Sequence, residues 1–299
     1  MAKDMGKIAA TSRPPGADPA PRRARGADRE NFPVGSVLLP APLRAPVRAF
    51  YDVVRAADDI ADDAQMDAAD KTARLDAIEA GLRGEHGDAR STRLRHALAE
   101  CGHAGAERHA IAMLAAFRAD IAARPCKSWA DLDAYCQASA NPVGRFLLDL
   151  HGEPPAAHTA SDALCTLLQI LNHLQDLGED WRDLGRLYLP ADWLAQAGAD
   201  PRDLARPALT PELRAVVDRM LDACGPLMAR ADALPGLVRS RRLRAEIRSI
   251  ETLARRLHAQ LSRRDPLAER VAPARADWWR AGLRGGLALL SPGPSVRPA

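Results

Sequence analysis

The chain has 299 residues, a formal net charge of +3 and 27 % charged residues, with acidic and basic side chains interspersed and no long basic stripe. A nucleic-acid partner is therefore a poor expectation, and the length suits one large domain or two small ones. Aromatic residues make up only 4 % of the chain and runs rich in Val, Ile or Thr are few, which disfavours strands and points to an all-α fold.

Taken in chain order, residues 1–28 are rich in Pro, Arg, Ala and Gly without an apolar period, and read as a disordered leader. The leader has no apolar signal core and no later run reaches membrane-span length, so a cytoplasmic protein is expected. Five cysteines, an odd number without zinc-finger spacing, are expected to be reduced thiols. The pattern predicts helices over 44–63, 67–83, 90–101 and 104–123. Ser128 reads as the cap of a helix over 129–150, in which Pro142 should cause a kink. Further helices are predicted over 160–182, 210–232 and 237–263, with Pro190 marking an exit loop. From 274 the tail holds Trp278, Trp279 and a short apolar run, readable either as core or as an anchor at a lipid surface.

Two acidic motifs stand out. The first, Asp58-Asp59-Ile60-Ala61-Asp62-Asp63, closes a predicted helix, where carboxylates oppose the helix dipole unless something binds them. Asp58 and Asp62 share a face with Arg55 and Tyr51. The second follows a line of polar residues, Gln169, Asn172, Asp176 and Asp180, along an otherwise apolar helix. A buried line of that kind needs a ligand or a wet cavity. Two such carboxylate faces turned together suit Mg²⁺ ions holding a diphosphate. Arg186, beyond the second motif, has the planar fork that fits phosphate oxygens.

Small residues at Ala138, Ser139, Ala140 and Gly144 leave room beside a helix, for either a cavity or close packing. His173 reads as structural. All three Asn (Asn31, Asn141, Asn172) and all three Tyr (Tyr51, Tyr135, Tyr188) fall in four short segments, as if those segments required specific side chains.

At these residues the chain resembles the squalene/phytoene synthase family over about 30–270. The resemblance rests on Tyr51…Arg55-x-x-Asp58-Asp59-x-x-Asp62, on Asn172-x-x-Gln175-Asp176-x-Gly178-Glu179-Asp180 and on Gly185-Arg186-x-Tyr188-Leu189-Pro190. Within the family, Glu30-Asn31-Phe32-Pro33-Val34, Ala140-Asn141-Pro142 and Gln175 look like the bacterial hydroxysqualene synthase branch of hopanoid biosynthesis. The additional carboxylate Asp63, and Val54 in place of a common Cys, depart from the family's usual pattern.

The resemblance implies an isoprenoid-synthase-type helical domain enclosing a central cavity over 29–270, with a partly flexible tail over 271–299. It implies Mg²⁺-dependent ionisation of presqualene diphosphate and capture of the carbocation by water. Asp58, Asp62, Asp176 and Asp180 would hold metal, with Tyr51 and Asn172 beside them. Arg55, Arg186, Asn31, Phe32, Tyr135, Asn141, Gln169, Gln175 and Tyr188 would contact substrate. Two alternatives stay open: condensation of two farnesyl diphosphates, and lipid binding without catalysis. Peripheral contact with the inner face of the membrane and with other squalene-pathway enzymes is also in scope.

Overall fold

A computed structural model describes residues 39–85 and 87–290, so the leader, Asn31 and Phe32 lie outside the described residues. Every element there is helical, and no strand occurs among the described residues. α1 (Ala41–Asp62) buries Leu43, Val47, Phe50, Val53, Ala57 and Ala61, a three- and four-residue spacing that defines one apolar face. α2 (Ala68–Arg83), α3 (Ala89–Glu100) and α4 (Arg108–Ile121) pack with it. Their shared core includes Leu75, Leu82, Leu94, Leu98 and Leu114.

α5 (Trp129–Ser139) begins at Ser128, whose hydroxyl accepts from the Asp131 amide at 3.3 Å. The expected single helix over 129–150 is instead two. The chain breaks at Ala140, and α6 (Asn141–Leu150) starts anew with Pro142 in its first turn. Proline is at home there because its missing N–H has no helical partner to lose. α6 joins the two halves of the molecule: Phe146 stacks on Phe50 with ring centroids 3.9 Å apart, while Leu148 enters a second core.

That second core surrounds α7 (His158–Gln175), which buries Leu167, Ile170, Leu171 and Leu174. Each such side chain contributes on the order of 1.5–3 kcal/mol by leaving water. Past α7 come a single turn, α8 (Leu177–Glu179), a π-helical segment (Asp180–Leu184) and α9 (Ala191–Ala197). α10 (Pro211–Ala231), the short α11 (Leu234–Leu237) and α12 (Arg241–Leu261) complete the core, and α13 (Arg275–Leu290) lies along α12. No helix among the described residues is long and apolar enough to cross a membrane.

Candidate active site

The first acidic motif is the end of an unbroken helix. Along α1, regular geometry puts Tyr51, Arg55, Asp58 and Asp62 on one stripe beside the buried face. Arg55 pairs with Asp58 at 3.1 Å and with Asp59 at 2.8 Å. Burial pushes the Asp58 carboxyl up to about 6, with Asp62 adding to the rise and Arg55 opposing it. Solvent still reaches 37 % of that side chain, which moderates the effect. Asp63 has left the helix and accepts from the Gln65 amide at 2.8 Å.

Asp62 turns toward a different element. Arg186 Nη1 comes within 2.7 Å of Asp62 Oδ1, and Arg186 Nη2 donates to the Ala61 carbonyl at 3.5 Å. The close approach to Asp62 is an ion pair without hydrogen-bond alignment, so the buried Oδ1 has no donor aimed at it. Arg186 Nη1 also lies 3.8 Å from Asp120 Oδ2 on α4. Burial alone would lower the guanidinium pKa, but Asp120 and Asp62 together hold it above its usual value.

Asp120 is the residue that sequence reasoning missed. It accepts from Tyr135 Oη at 2.9 Å and from Tyr188 Oη at 3.4 Å, and the two phenols lie 3.3 Å apart. Burial raises the Asp120 carboxyl and Arg186 opposes that rise. Burial also raises both phenols, with Asp120 adding to it, so both stay protonated and donate. One signal could have found Asp120. It is an acidic residue in the last turn of a helix, the same unfavourable dipole position that singled out the first motif.

The line of polar residues on α7 is shorter than expected. α7 stops at Gln175, Asp176 takes φ −93° and ψ 9°, and after one α-helical turn the chain widens into a π-helical segment at Asp180, so the row is interrupted at Asp176. Asn172 Nδ2 still donates to Asp176 Oδ2 at 3.2 Å, and Asp180 is buried while Glu179 faces solvent. Gln169 Nε2 approaches His173 Nε2 at 3.3 Å. With the amide as donor, that ring nitrogen is the unprotonated one. His173 stacks on Tyr188 with centroids 3.7 Å apart, and burial pushes its pKa down to about 3, with Arg186 adding to the fall.

The structure thus brings Asp62, Arg186, Tyr135 and Tyr188 together, with Gln169 behind them through His173. Two other residues bond to neighbouring elements. Asn141 Oδ1 accepts from Thr166 at 3.0 Å and ties α6 to α7. Gln175 Nε2 donates to the Val271 carbonyl at 2.6 Å. Gly144 serves close helix packing, because a Cβ there would meet Cys165 Sγ at 2.6 Å.

The squalene/phytoene synthase family model matches residues 25–284. The chain belongs to this family. It is 43 % identical over 244 residues to a hydroxysqualene synthase of Rhodopseudomonas palustris, covering 81 % of this chain and 82 % of that protein. It is 36 % identical over 254 residues to a hydroxysqualene synthase of Zymomonas mobilis, covering 85 % and 86 %. The crystal structure of squalene synthase HpnC from Alicyclobacillus acidocaldarius superposes with a TM-score of 0.68 at 29 % identity, over 79 % of this chain and 90 % of that one. The protein is therefore a prenyl diphosphate enzyme of this family, and the fold is the family's helical one.

Members of this family generally depend on a divalent metal. Among the described residues no three His, Cys, Asp or Glu side chains form a ready-made metal site. The residues nevertheless fit a cation. Asp62 Oδ1 is a buried acceptor without a donor, and the Asp58 carboxyl is strained upward by burial and by Asp62. An added positive charge relieves both.

Proposed function

We propose that the protein ionises presqualene diphosphate and lets water capture the resulting carbocation, giving hydroxysqualene and diphosphate. The observation that carries this reading is the Arg186–Asp62 pair, in which a residue beyond the second acidic motif meets the first motif in one buried site. The similarity to two hydroxysqualene synthases over more than four fifths of the chain favours water capture over condensation.

Asp58, Asp62, Asp176 and Asp180 would hold Mg²⁺, which supplies Lewis-acid stabilisation of the departing diphosphate when bound. Arg55 and Arg186 add fixed positive charge toward the same oxygens. Arg186 is oriented in advance by Asp120, so its charge needs no reorganisation as the bond breaks. Tyr51 and Asn172 are the residues we place to orient diphosphate or water. Tyr135 and Tyr188, kept protonated by burial, present hydroxyl dipoles and ring faces rather than negative charge. Gln169, Gln175 and Asn141, with Asn31 and Phe32, would shape the surrounding wall. Water supplies the new C–O bond and loses its proton, so no reductant is consumed. We place the reaction in the cytoplasm.

The test is direct. Purified protein with Mg²⁺ and presqualene diphosphate, but no NADPH, is expected to release hydroxysqualene and diphosphate. Consumption of farnesyl diphosphate to presqualene diphosphate or squalene would replace this reading with the condensation reaction. Ligand binding that is independent of Mg²⁺, without diphosphate release, would replace it with lipid binding.

A further inference from the structure

Helix α13 has two faces of opposite character. Ala281, Gly285 and Ala288 are buried against α12, and a Cβ at Gly285 would stand 2.9 Å from the Ala245 carbonyl. Ser249 Oγ bonds the Ala281 carbonyl at 3.0 Å. Asp277, at the start of the helix, is 1 % exposed and accepts from Arg256 at 2.7 Å and from Gln260 at 2.9 Å. These contacts fix the rotation of α13 about its axis, so its outer face cannot turn inward.

That outer face is apolar. Trp279 is 81 % exposed, Leu283 67 %, Leu287 55 % and Leu290 82 %. The four follow three- and four-residue steps along one side of the helix. Of the exposed large apolar side chains among the described residues, all but Val143 lie on α13, Trp278 included. Exposure concentrated in this way marks an interaction site.

We propose that α13 docks the protein onto an anionic lipid surface, lying in the plane of the interface with Trp279 and the three leucines inserted among the headgroups. Charge complementarity selects this partner. Arg275 and Arg284 are exposed along the helix, and its one acid, Asp277, is buried and paired with Arg256 and Arg280. A basic helix with a Trp/Leu face is the signature of interfacial binding. The helix has 16 residues, too short to span a bilayer. A second copy of the chain fits less well. Four side chains of this size offer on the order of 500 Å² at most, against about 800 Å² per partner in a stable dimer. The inference goes beyond the reaction proposed above and does not depend on it.

The test uses the full chain and sedimented vesicles of phosphatidylcholine, with and without phosphatidylglycerol. Wild-type protein is expected to bind the phosphatidylglycerol vesicles, with a blue shift in tryptophan emission. Trp279→Ser with Leu283→Ser should weaken binding at least ten-fold while circular dichroism and Tm stay unchanged, since both residues are exposed. Arg275→Gln and Arg284→Gln should each weaken binding to anionic vesicles roughly five-fold and leave neutral vesicles unaffected. Absence of vesicle binding by wild type would overturn the proposal, as would equal binding by the stripe and arginine variants. A dimer seen by light scattering in wild type, lost in the stripe variant and unaccompanied by vesicle binding, would overturn it in favour of a second copy. These vesicles contain no prenyl diphosphate, so failure here and failure of the proposed reaction are separate results.

Discussion

The two acidic motifs share a four-residue spacing of carboxylates but differ in backbone and in how their charge is balanced. Asp58 and Asp62 sit on a helix that runs without a break to its last residue. Asp176 lies where a helix has ended and Asp180 opens a π-helical segment. In the first motif Asp58 and Asp59 are balanced locally, by Arg55 on their own helix, while Asp62 is met from another element. Beyond the second, Arg186 leaves its own segment for Asp62 on α1 and Asp120 on α4.

If the two regions serve one reaction, removing a carboxylate from either should have the same consequence. Asp58→Ala and Asp176→Ala are each expected to lower turnover on the order of 10³-fold or more. Diphosphate release measures this, and circular dichroism should show unchanged helix content. Full activity in one variant alone would mean that only one region does chemistry.

The difference in charge balance predicts unequal effects on stability. Asp120→Ala leaves Arg186 with Asp62 alone and takes the carboxylate acceptor from both phenols, which can then bond only to each other. Because Arg186 keeps Asp62, the loss is that of buried hydrogen-bond partners, about 1–3 kcal/mol, measurable by urea denaturation. Asp59→Ala removes an exposed local pair and should cost less than about 1 kcal/mol. Equal losses would show that the cross-molecule network carries no more stability than a surface ion pair.

What the chain disclosed in advance follows the same division. The apolar face of α1, the Ser128 cap and the loop at Pro190 depend on neighbours a few residues away, and so could be read. The Asp120 network joins residues separated by 15 and 68 positions, and no local pattern records that closure. The break at Asp176 was hidden because Leu177 and Glu179 are good helix formers, and propensity yields to tertiary packing. Pro142 announced a disturbance, but the restart as a new helix depends on Asn141 and Thr166 pairing across α6 and α7.

His173 tests whether burial behind the second motif is as tight as its neighbours imply. Its folded pKa, pushed down to about 3 by burial with Arg186 adding to the fall, lies below the ordinary histidine value of 6.5. As pH falls, the unfolded chain therefore takes the proton first. The stabilising contribution is complete above pH 6.5 and is lost progressively as pH drops toward 3. Relative to His173→Phe, which keeps a ring against Tyr188, wild type should lose about 2 kcal/mol of stability between pH 6.5 and 4.5. Parallel pH profiles for the two proteins would mean that His173 titrates normally and that the site is open to water.

The smallest expected effect addresses the backbone itself. Gly185 ends the π-helical segment at φ +64°, and nothing lies within 4 Å of where a Cβ would stand. Gly185→Ala therefore meets no clash, and its cost is the left-handed conformation alone, about 1 kcal/mol. That corresponds to a fall in Tm of roughly 2–4 °C. Gly185→Asn, better suited to positive φ, should recover part of it. Because Arg186 is the next residue, any relaxation of φ swings the guanidinium away from Asp62. Turnover should then fall more in the alanine variant than its stability loss explains, and less in the asparagine variant. If turnover follows stability in both, the left-handed turn merely closes the segment and Arg186 is aimed by its carboxylate partners.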